Sequence, residues 1–478
     1  MQEEFFKNSP EATNVNSYIA QILEKTGWKQ KIRNEVYNKL RHKNAFENTC
    51  FGQDCDPCVA ESIGFIRATQ RKWERKICES ILSMCTEKQL DLPRKRTISE
   101  QKELAMRWNN LRSQELAIKD IRPVYDHTDF LLVILRLIPP DVSGFKLEED
   151  ISNHFNLPND NWRSDLLSTG LKSLWKDVRA EEIEEIAKKV LQLNDTPVLA
   201  EFLKSRCPPS QRSTVWSAVL GISITDAERL YYEKLQEAVF QLNLIVDHLM
   251  QKEVKLTTGN SDHYFVFEDL IHQTMLIFSR DSNIWKSISR YSCFLPVYKT
   301  ESNPKRNQQE LQIYPPSGII PCHGFSFFVS PICYMDQDPV IVYFIFREMY
   351  LRYFFHLHNI SSNNKGIVSL CLLFEKIMQN SEPDLVELLA IKRIKLLNIA
   401  FKWLMRAFSG FLGPSQLLIL WDKIIAYDSL EFLPLLAVSI ILDKKDCLME
   451  TTNADTAEIL YADISSVEVD RFLKSILK

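Results

Sequence analysis

Hydrophobic residues recur at helical spacing along much of the chain. Apolar side chains three or four residues apart lie on one face of an α-helix. We therefore predict amphipathic helices in the first 200 residues, with a shorter one before Gly27. The stripes are Trp28, Ile32, Val36 and Leu40; Trp73, Ile77, Ile81 and Met84; and Ile183, Ile186, Val190 and Leu193.

Helix breaks and caps divide this pattern. The segment from Pro93 to Arg96 ends one helix, and Thr97 with Glu100 forms a capping box for the next, which we predict to reach Leu111. The turn residues at positions 194–197 mark a domain boundary.

Beyond this boundary the predicted helices are more apolar. Asp338 and Pro339 have the character of an N-cap and a first-turn proline, and they precede a helix that is apolar on nearly every side. Gly413 and Pro414 separate two further core helices. Residues 302–317, which contain three prolines, are predicted to form a long loop.

Composition supports an all-α fold. Among 478 residues, 45% are hydrophobic and 25% charged, the balance of a folded globular protein, and only 12 are glycine, few for a strand-rich sandwich or barrel. We expect three regions: a helical N-terminal region at 1–196, a multi-helix domain at 200–445 and a helical tail at 446–478. The net charge of −4 disfavours nucleic acid as a partner.

The sequence also indicates where the protein works. Its start, Met1 to Phe6, is acidic and lacks an apolar segment, so we expect no secretory signal. The longest apolar run, residues 433–442, is about half a membrane crossing, so no transmembrane segment is expected. Eleven cysteines, an odd number, favour reduced thiols in the cytoplasm. Peripheral contact with endomembranes stays open.

Two features have competing interpretations. Cys50, Cys55 and Cys58 resemble half of a zinc site, but a fourth ligand at a diagnostic spacing is missing, so an ordinary polar loop is favoured and no metal is expected. A basic helix face with arginines every four residues is either a solvated surface, which we favour, or a contact for anionic lipid. These arginines are Arg67, Arg71 and Arg75.

The most informative residues form four short motifs in order along the second half. The first has the pattern RxxxW. The second is an aspartate followed three residues later by a histidine. The third is a Pro-Cys-His-Gly segment, and the last is a Trp-Asp pair. The residues are Arg212 and Trp216; Asp269 and His272; His323 and Gly324; and Trp421 and Asp422.

Across residues 203–442 this order resembles the TBC domain family, whose members act on Rab-type small GTPases. The resemblance implies a multi-helix TBC domain that contacts a Rab partner and requires no cofactor of its own, since GTP and Mg²⁺ belong to the Rab. Family members insert an arginine from IxxDxxR and a glutamine from YxQG into the GTPase site. The arginine neutralises charge on the transferred phosphoryl group and the glutamine orients the attacking water.

Both finger positions are substituted in this chain. His272 stands where the arginine is expected and His323 where the glutamine is expected, with Pro321 in place of the tyrosine. An imidazole lacks the planar fork of a guanidinium and is mostly neutral at cytosolic pH. We expect both histidines to lie in a surface groove, with little activation of hydrolysis remaining.

The residues that match the family pattern without substitution are expected to stabilise the fold. Trp216 would fill the core, and Arg212 and Asp269 would form an ion pair beneath the groove. Arg280 is a remote candidate to replace the missing arginine. Three functions stay open: a weak GTPase activator, a Rab-binding scaffold without activity, and a helical adaptor without a GTPase partner.

Overall fold

The computed structural model describes most of the chain. The described ranges are residues 22–47, 57–109, 121–138, 180–205, 207–259, 262–289, 297–303, 308–361, 363 and 365–477. Within them the protein is helical apart from two small strand pairs. The predicted all-α class is confirmed.

The helices before residue 204 are separated by short breaks and by ranges that are not described. They are α1 Trp28–Glu47, α2 Pro57–Lys88, α3 Ile98–Trp108, α4 His127–Ile134, α5 Ala180–Leu193 and α6 Thr196–Leu203.

The second half contains a nearly continuous series of helices. They are α7 Arg212–Leu220, α8 Asp226–Gln241, α9 Ile245–Gly259, α10 Glu268–Arg280, α11 Ser282–Ile288, α12 Ser330–Met335, α13 Pro339–Met349, α14 Phe355–His358, α15 Ile367–Ser381, α16 Pro383–Ile391, α17 Leu396–Met405, α18 Pro414–Tyr427, α19 Phe432–Asp443, α20 Lys445–Glu450, α21 Ala454–Leu460 and α22 Val469–Leu477. A π-helical turn, Tyr350–Phe354, joins α13 to α14.

The strands form two antiparallel pairs. Strand β1, Pro93–Lys95, pairs with β2, Leu242–Leu244, and so joins the N-terminal region to the second half. Strand β3, Val297–Asn303, pairs with β4, Gln308–Ile313. The prediction of a long loop at residues 302–317 is therefore wrong. Strand β4 lies between the prolines of this segment, so the prolines do not interrupt it.

Several helix ends follow from their capping residues as predicted. Thr97 and Glu100 form the capping box of α3, and the Asp338 side chain accepts the Val340 N–H at the start of α13. Helix α7 ends at Gly221, whose φ of 73° is readily adopted by glycine. Helix α3 ends at Trp108, three residues before the predicted end.

The hydrophobic core extends across the predicted region boundaries. One cluster of buried apolar side chains runs from Ile66 on α2 to Leu473 on α22, and includes the largely apolar α13. The break predicted at 194–197 falls between α5 and α6, where Asp195 caps α6. The division at 1–196, 200–445 and 446–478 itself stays a prediction.

Two predicted helix faces have different outcomes. On α2, Trp73 and Ile81 are buried and the Arg67, Arg71 and Arg75 face is exposed, which is compatible with both interpretations of this face. On α1 the helix is present, but its apolar stripe faces outward.

Candidate functional site

Two of the four motifs meet in the core. Asp422 on α18 accepts a hydrogen bond from the indole N–H of Trp216 on α7, with 2.6 Å between Nε1 and Oδ1. Its other oxygen pairs with Arg212, with 3.2 Å between Nη2 and Oδ2. The rings of Trp216 and Trp421 pack with centroids 6.4 Å apart. These four residues therefore fasten α7 to α18.

This cluster corrects the predicted ion pair. Arg212 and Asp422 are 5% and 2% exposed, and the partner of Arg212 is Asp422 rather than Asp269. Burial raises the pKa of Asp422, while the Arg212 charge opposes the rise. A carboxylate removed from water on an apolar helix needs such a cation, which explains the pairing.

Asp269 instead contacts the N-terminal region. The guanidinium of Arg107 on α3 bonds Asp269 through Nε and Glu268 through Nη2, the latter at 2.7 Å from Oε1. The Arg107 side chain is largely buried, whereas the Asp269 carboxylate is about half exposed. Arg107 thereby fastens α3 to the first turn of α10.

His272 lies one turn further along α10 and is buried, with 3% of its surface exposed. Burial, with the positive charge of Arg107 as a second cause, lowers its pKa to about 3. Its Nδ1 makes no hydrogen bond within the described part of the chain. The ring is therefore a neutral group inside the protein. The expectation that it lies in an open surface groove is wrong.

The N-terminal region packs against the helix that carries His272. Helix α3 packs against α8 and α10, and strand β1 pairs with β2 just before α9. Arg96, between β1 and α3, donates from Nε to the Val239 carbonyl at 2.9 Å and from Nη2 to Asp247 at 2.7 Å. Residues 93–108, here named the covering segment, thus lie over this side of α10.

Asp247 is the anionic centre beneath the covering segment. It is bonded by Arg96 and by Arg280, whose Nη2 lies 2.6 Å from Oδ2. Burial alone would raise the pKa of Asp247, but the charges of Arg280 and Arg96 lower it. Arg280 is 6% exposed and committed to this pair, so it is not placed to replace the missing arginine finger.

His323, predicted to stand at the glutamine position, has a different setting. Its Nδ1 lies 3.0 Å from Oε1 of the buried Glu253 on α9, and its backbone N–H donates to the Tyr125 carbonyl at 3.0 Å. The other Glu253 oxygen accepts the Gly324 N–H. The His323 side chain is 37% exposed. A carboxylate on Nδ1 favours the tautomer in which Nε2 is the acceptor.

Gly324 is required by the geometry of this loop. Its φ is 84°, and a Cβ atom at this position would lie about 2.5 Å from the guanidinium carbon of Arg406. Arg406 donates from Nη2 to the His323 carbonyl at 3.2 Å and lies over the ring of Phe327. Burial lowers the pKa of Arg406. The His323–Gly324 backbone is therefore fixed from both sides.

Each of the two histidines has a charged neighbour on helix α9. His272 lies near Asp247, and His323 is bonded to Glu253, six residues further along α9 or about 9 Å of helix rise. The structure therefore brings the two positions to neighbouring parts of the molecule, but only His323 is accessible to solvent.

Most of the cysteines and the histidine considered as zinc ligands lie outside the described residues. Cys50 and Cys55 lie outside the described residues, as do the side chains of Cys58 and His42, and Cys78 is buried. Among the described residues, no three His, Cys, Asp or Glu side chains are grouped to hold a metal ion. Within the described ranges, every helix is too short or too polar to cross a bilayer.

Sequence reasoning missed the residues that hold the finger positions. Arg96 and Arg107 resembled ordinary basic surface residues, and Glu253 and Arg406 belong to no motif. For Glu253 and Asp247 the sequence did contain a signal, their position between apolar residues of a helix. An acidic residue buried at such a position requires a cationic or N–H partner.

The sequence of this helical protein matches a known protein family. The Rab-GTPase-TBC domain family matches residues 321–449. A human protein, TBC1 domain family member 19, is 37% identical over 479 residues, covering 96% of this chain and 90% of the human protein. This identity across nearly the whole length shows that the chain belongs to the TBC domain family.

Two solved structures are also similar. The Ypt/Rab-GAP domain of Gyp1p has a TM-score of 0.40 at 10% identity and covers 59% of this chain and 91% of that domain. A Chlamydomonas flagellar RabGAP TBC domain has a TM-score of 0.37 at 12% identity, covering 70% and 97%.

Proposed function

We propose that this protein binds GTP-loaded Rab-type GTPases through its TBC domain and that residue 272 takes no part in GTP hydrolysis. Family membership and the sequence match to the Rab-GTPase-TBC domain support the partner class. The burial of His272 beneath the covering segment is the observation that carries the second part.

An arginine finger needs both a positive charge and access to the nucleotide. An arginine finger accelerates hydrolysis by about 10³ to 10⁵ because a permanent positive charge reaches the transferred phosphoryl group. His272 has a pKa of about 3 and is therefore neutral at cytosolic pH. It is also 3% exposed, so it meets neither requirement. Replacing it by arginine would place a fourth guanidinium beside Arg96, Arg107 and Arg280.

A weaker second function rests on His323. This side chain is partly exposed, and Glu253 holds its ring, which supports the orientation of one water molecule through Nε2. Residual activation of hydrolysis would then depend on His323 alone. The protein would act in the cytoplasm on Rab-bearing membranes, chiefly as a binding module or scaffold in membrane trafficking.

The test combines binding and hydrolysis on a panel of GTP-loaded Rab proteins. We expect binding to at least one Rab, with hydrolysis near the intrinsic rate. Any residual acceleration should fall in His323→Ala and be unchanged in His272→Ala. His263→Ala is the matched control, because His263 is an exposed histidine outside the finger positions.

Two results would contradict the proposal. Acceleration that falls in His272→Ala but not in His263→Ala would show that residue 272 acts on the nucleotide. Failure to bind any Rab in the panel would favour the adaptor without a GTPase partner.

A further inference from the structure

Helix α1 has its polar side inward and its apolar side outward. Trp28, Ile32, Val36 and Leu40, here named the α1 stripe, are 56%, 48%, 50% and 55% exposed. Four-residue spacing places them along one side of the helix over about 18 Å. A surface helix of a globular protein normally buries such a stripe.

The opposite side of α1 is the one that contacts the protein, through Tyr37, which packs against the core, and through polar groups. Asn34 donates from Nδ2 to the Asn194 carbonyl at 2.7 Å and accepts the Thr196 N–H at 3.1 Å. Arg41 donates to the carbonyls of Ile425 and Ala426 at 2.9 and 2.7 Å, near the end of α18. The outward direction of the stripe is therefore fixed by specific bonds.

Basic residues surround the α1 stripe. From residue 24 to residue 41 the chain has six lysines and arginines against two glutamates. Arg33 pairs with Asp195 at 3.0 Å and Arg41 faces the protein, which leaves four lysines. Lys29 and Lys39 pair with Glu24 and Glu35 at 3.5 and 3.3 Å, but all four side chains are more than half exposed. Exposed ion pairs of this kind contribute little to stability. Because lysines outnumber glutamates here, the electrostatic field around the stripe is positive. Lys31 lies 5.5 Å from the centre of the Trp28 ring.

We propose that the α1 stripe inserts into the surface of an anionic lipid bilayer. An interfacial helix has apolar side chains, including tryptophan, on one side and lysines around them that attract acidic headgroups. A second copy of this chain fits less well, because it would place one lysine-rich surface against another. This proposal is independent of the Rab-binding function, since α1 carries neither finger position.

The test measures binding of the full-length protein to vesicles of phosphatidylcholine, with and without phosphatidylserine. We expect binding only when phosphatidylserine is present, decreasing as salt is raised. The variant with Ile32→Gln and Val36→Gln keeps the net charge and should bind about tenfold more weakly or worse. A variant with Lys29→Gln and Lys39→Gln should also lose about tenfold on anionic vesicles.

Ile391→Gln is the matched control, because Ile391 is 75% exposed on α16 and lies outside the stripe. It should bind vesicles like the unchanged protein. Because the substituted side chains are exposed, circular dichroism should show an unchanged fold. No binding to anionic vesicles, or equal loss in Ile391→Gln, would overturn the proposal. A dimer in light scattering that only the Ile32 and Val36 variant dissociates would assign the stripe to a second copy instead.

Discussion

His272 is a neutral imidazole held among cationic side chains. Arg107, Arg96 and Arg280 each lower its pKa beyond the effect of burial, and Asp247 only partly opposes them. A proton on this ring would add a positive charge to a buried site with three guanidinium groups nearby. The site therefore favours a ring without charge, the opposite of what an arginine finger requires.

This setting predicts a pH effect on stability. The unfolded chain binds a proton at residue 272 with a pKa near 6.5, whereas the folded chain does so near 3. The stability that the folded protein gains from a neutral ring at residue 272 is therefore fully present above pH 6.5 and is lost as pH falls toward 3. From pH 7.5 to 5.5, the unchanged protein should lose about 1 kcal/mol more unfolding free energy than His272→Leu.

Urea unfolding at several pH values measures this difference. His358 is also buried with a pKa near 3, but it is present in both proteins, so the comparison isolates His272. Equal pH dependence of the two proteins would show that residue 272 is not buried as described.

At the scale of residues, local chemistry was predictable and distant pairing was not. The capping roles of Thr97 and Asp338 depend on neighbours within three residues, so the sequence alone contains them. The partner of Arg212 lies 210 residues away in sequence, and several acidic residues were compatible with it. Only the packing of α7 against α18 selects Asp422.

Among the elements, the covering segment joins the N-terminal part of the chain to the helices around His272. Strand β1 contributes backbone pairing to β2, while Arg96 and Arg107 anchor the two ends of the segment. The side chain of Arg96 is 7% exposed, so its bond to Asp247 is shielded from solvent. The segment is built into the domain through buried charges.

Arg96 should therefore matter more than its neighbour Arg94. Arg96→Ala removes one of two cations from the buried Asp247, and we expect a loss of about 2 to 4 kcal/mol in unfolding free energy. Arg94 pairs with Glu100 at 2.6 Å but its side chain is 40% exposed, so Arg94→Ala should cost under about 1 kcal/mol. Urea unfolding of the two variants would refute the anchoring role if their losses were equal.

Periodicity predicted the helices well because burial of one face is a local pattern. It failed for strands β3 and β4, where residues 308–313 are mainly polar and the prolines suggested a loop. It also failed for the direction of α1, because the same stripe is compatible with a face turned inward or outward. Contacts of Asn34 and Arg41 with distant carbonyls decide that direction.

For the whole molecule, the candidate site lies where the first 130 residues meet the helices of the second half. Arg107 contacts Asp269 and Glu268, and Tyr125 contacts the backbone of His323. Both predicted finger positions therefore have neighbours from the first 130 residues, a relation that motif order alone did not indicate. The family was predictable from four motifs, whereas the covering of residue 272 required the packing of both regions.

The central claim is that residue 272 is shielded from solvent and from a partner. The most direct measurement is carbethoxylation of histidines by diethyl pyrocarbonate, followed by peptide mass spectrometry, with and without a GTP-loaded Rab that binds. His263 is exposed and is the internal control. We predict that His263 reacts rapidly while His272 stays protected in both conditions. Reaction of His272 at the rate of His263, in either condition, would contradict the account.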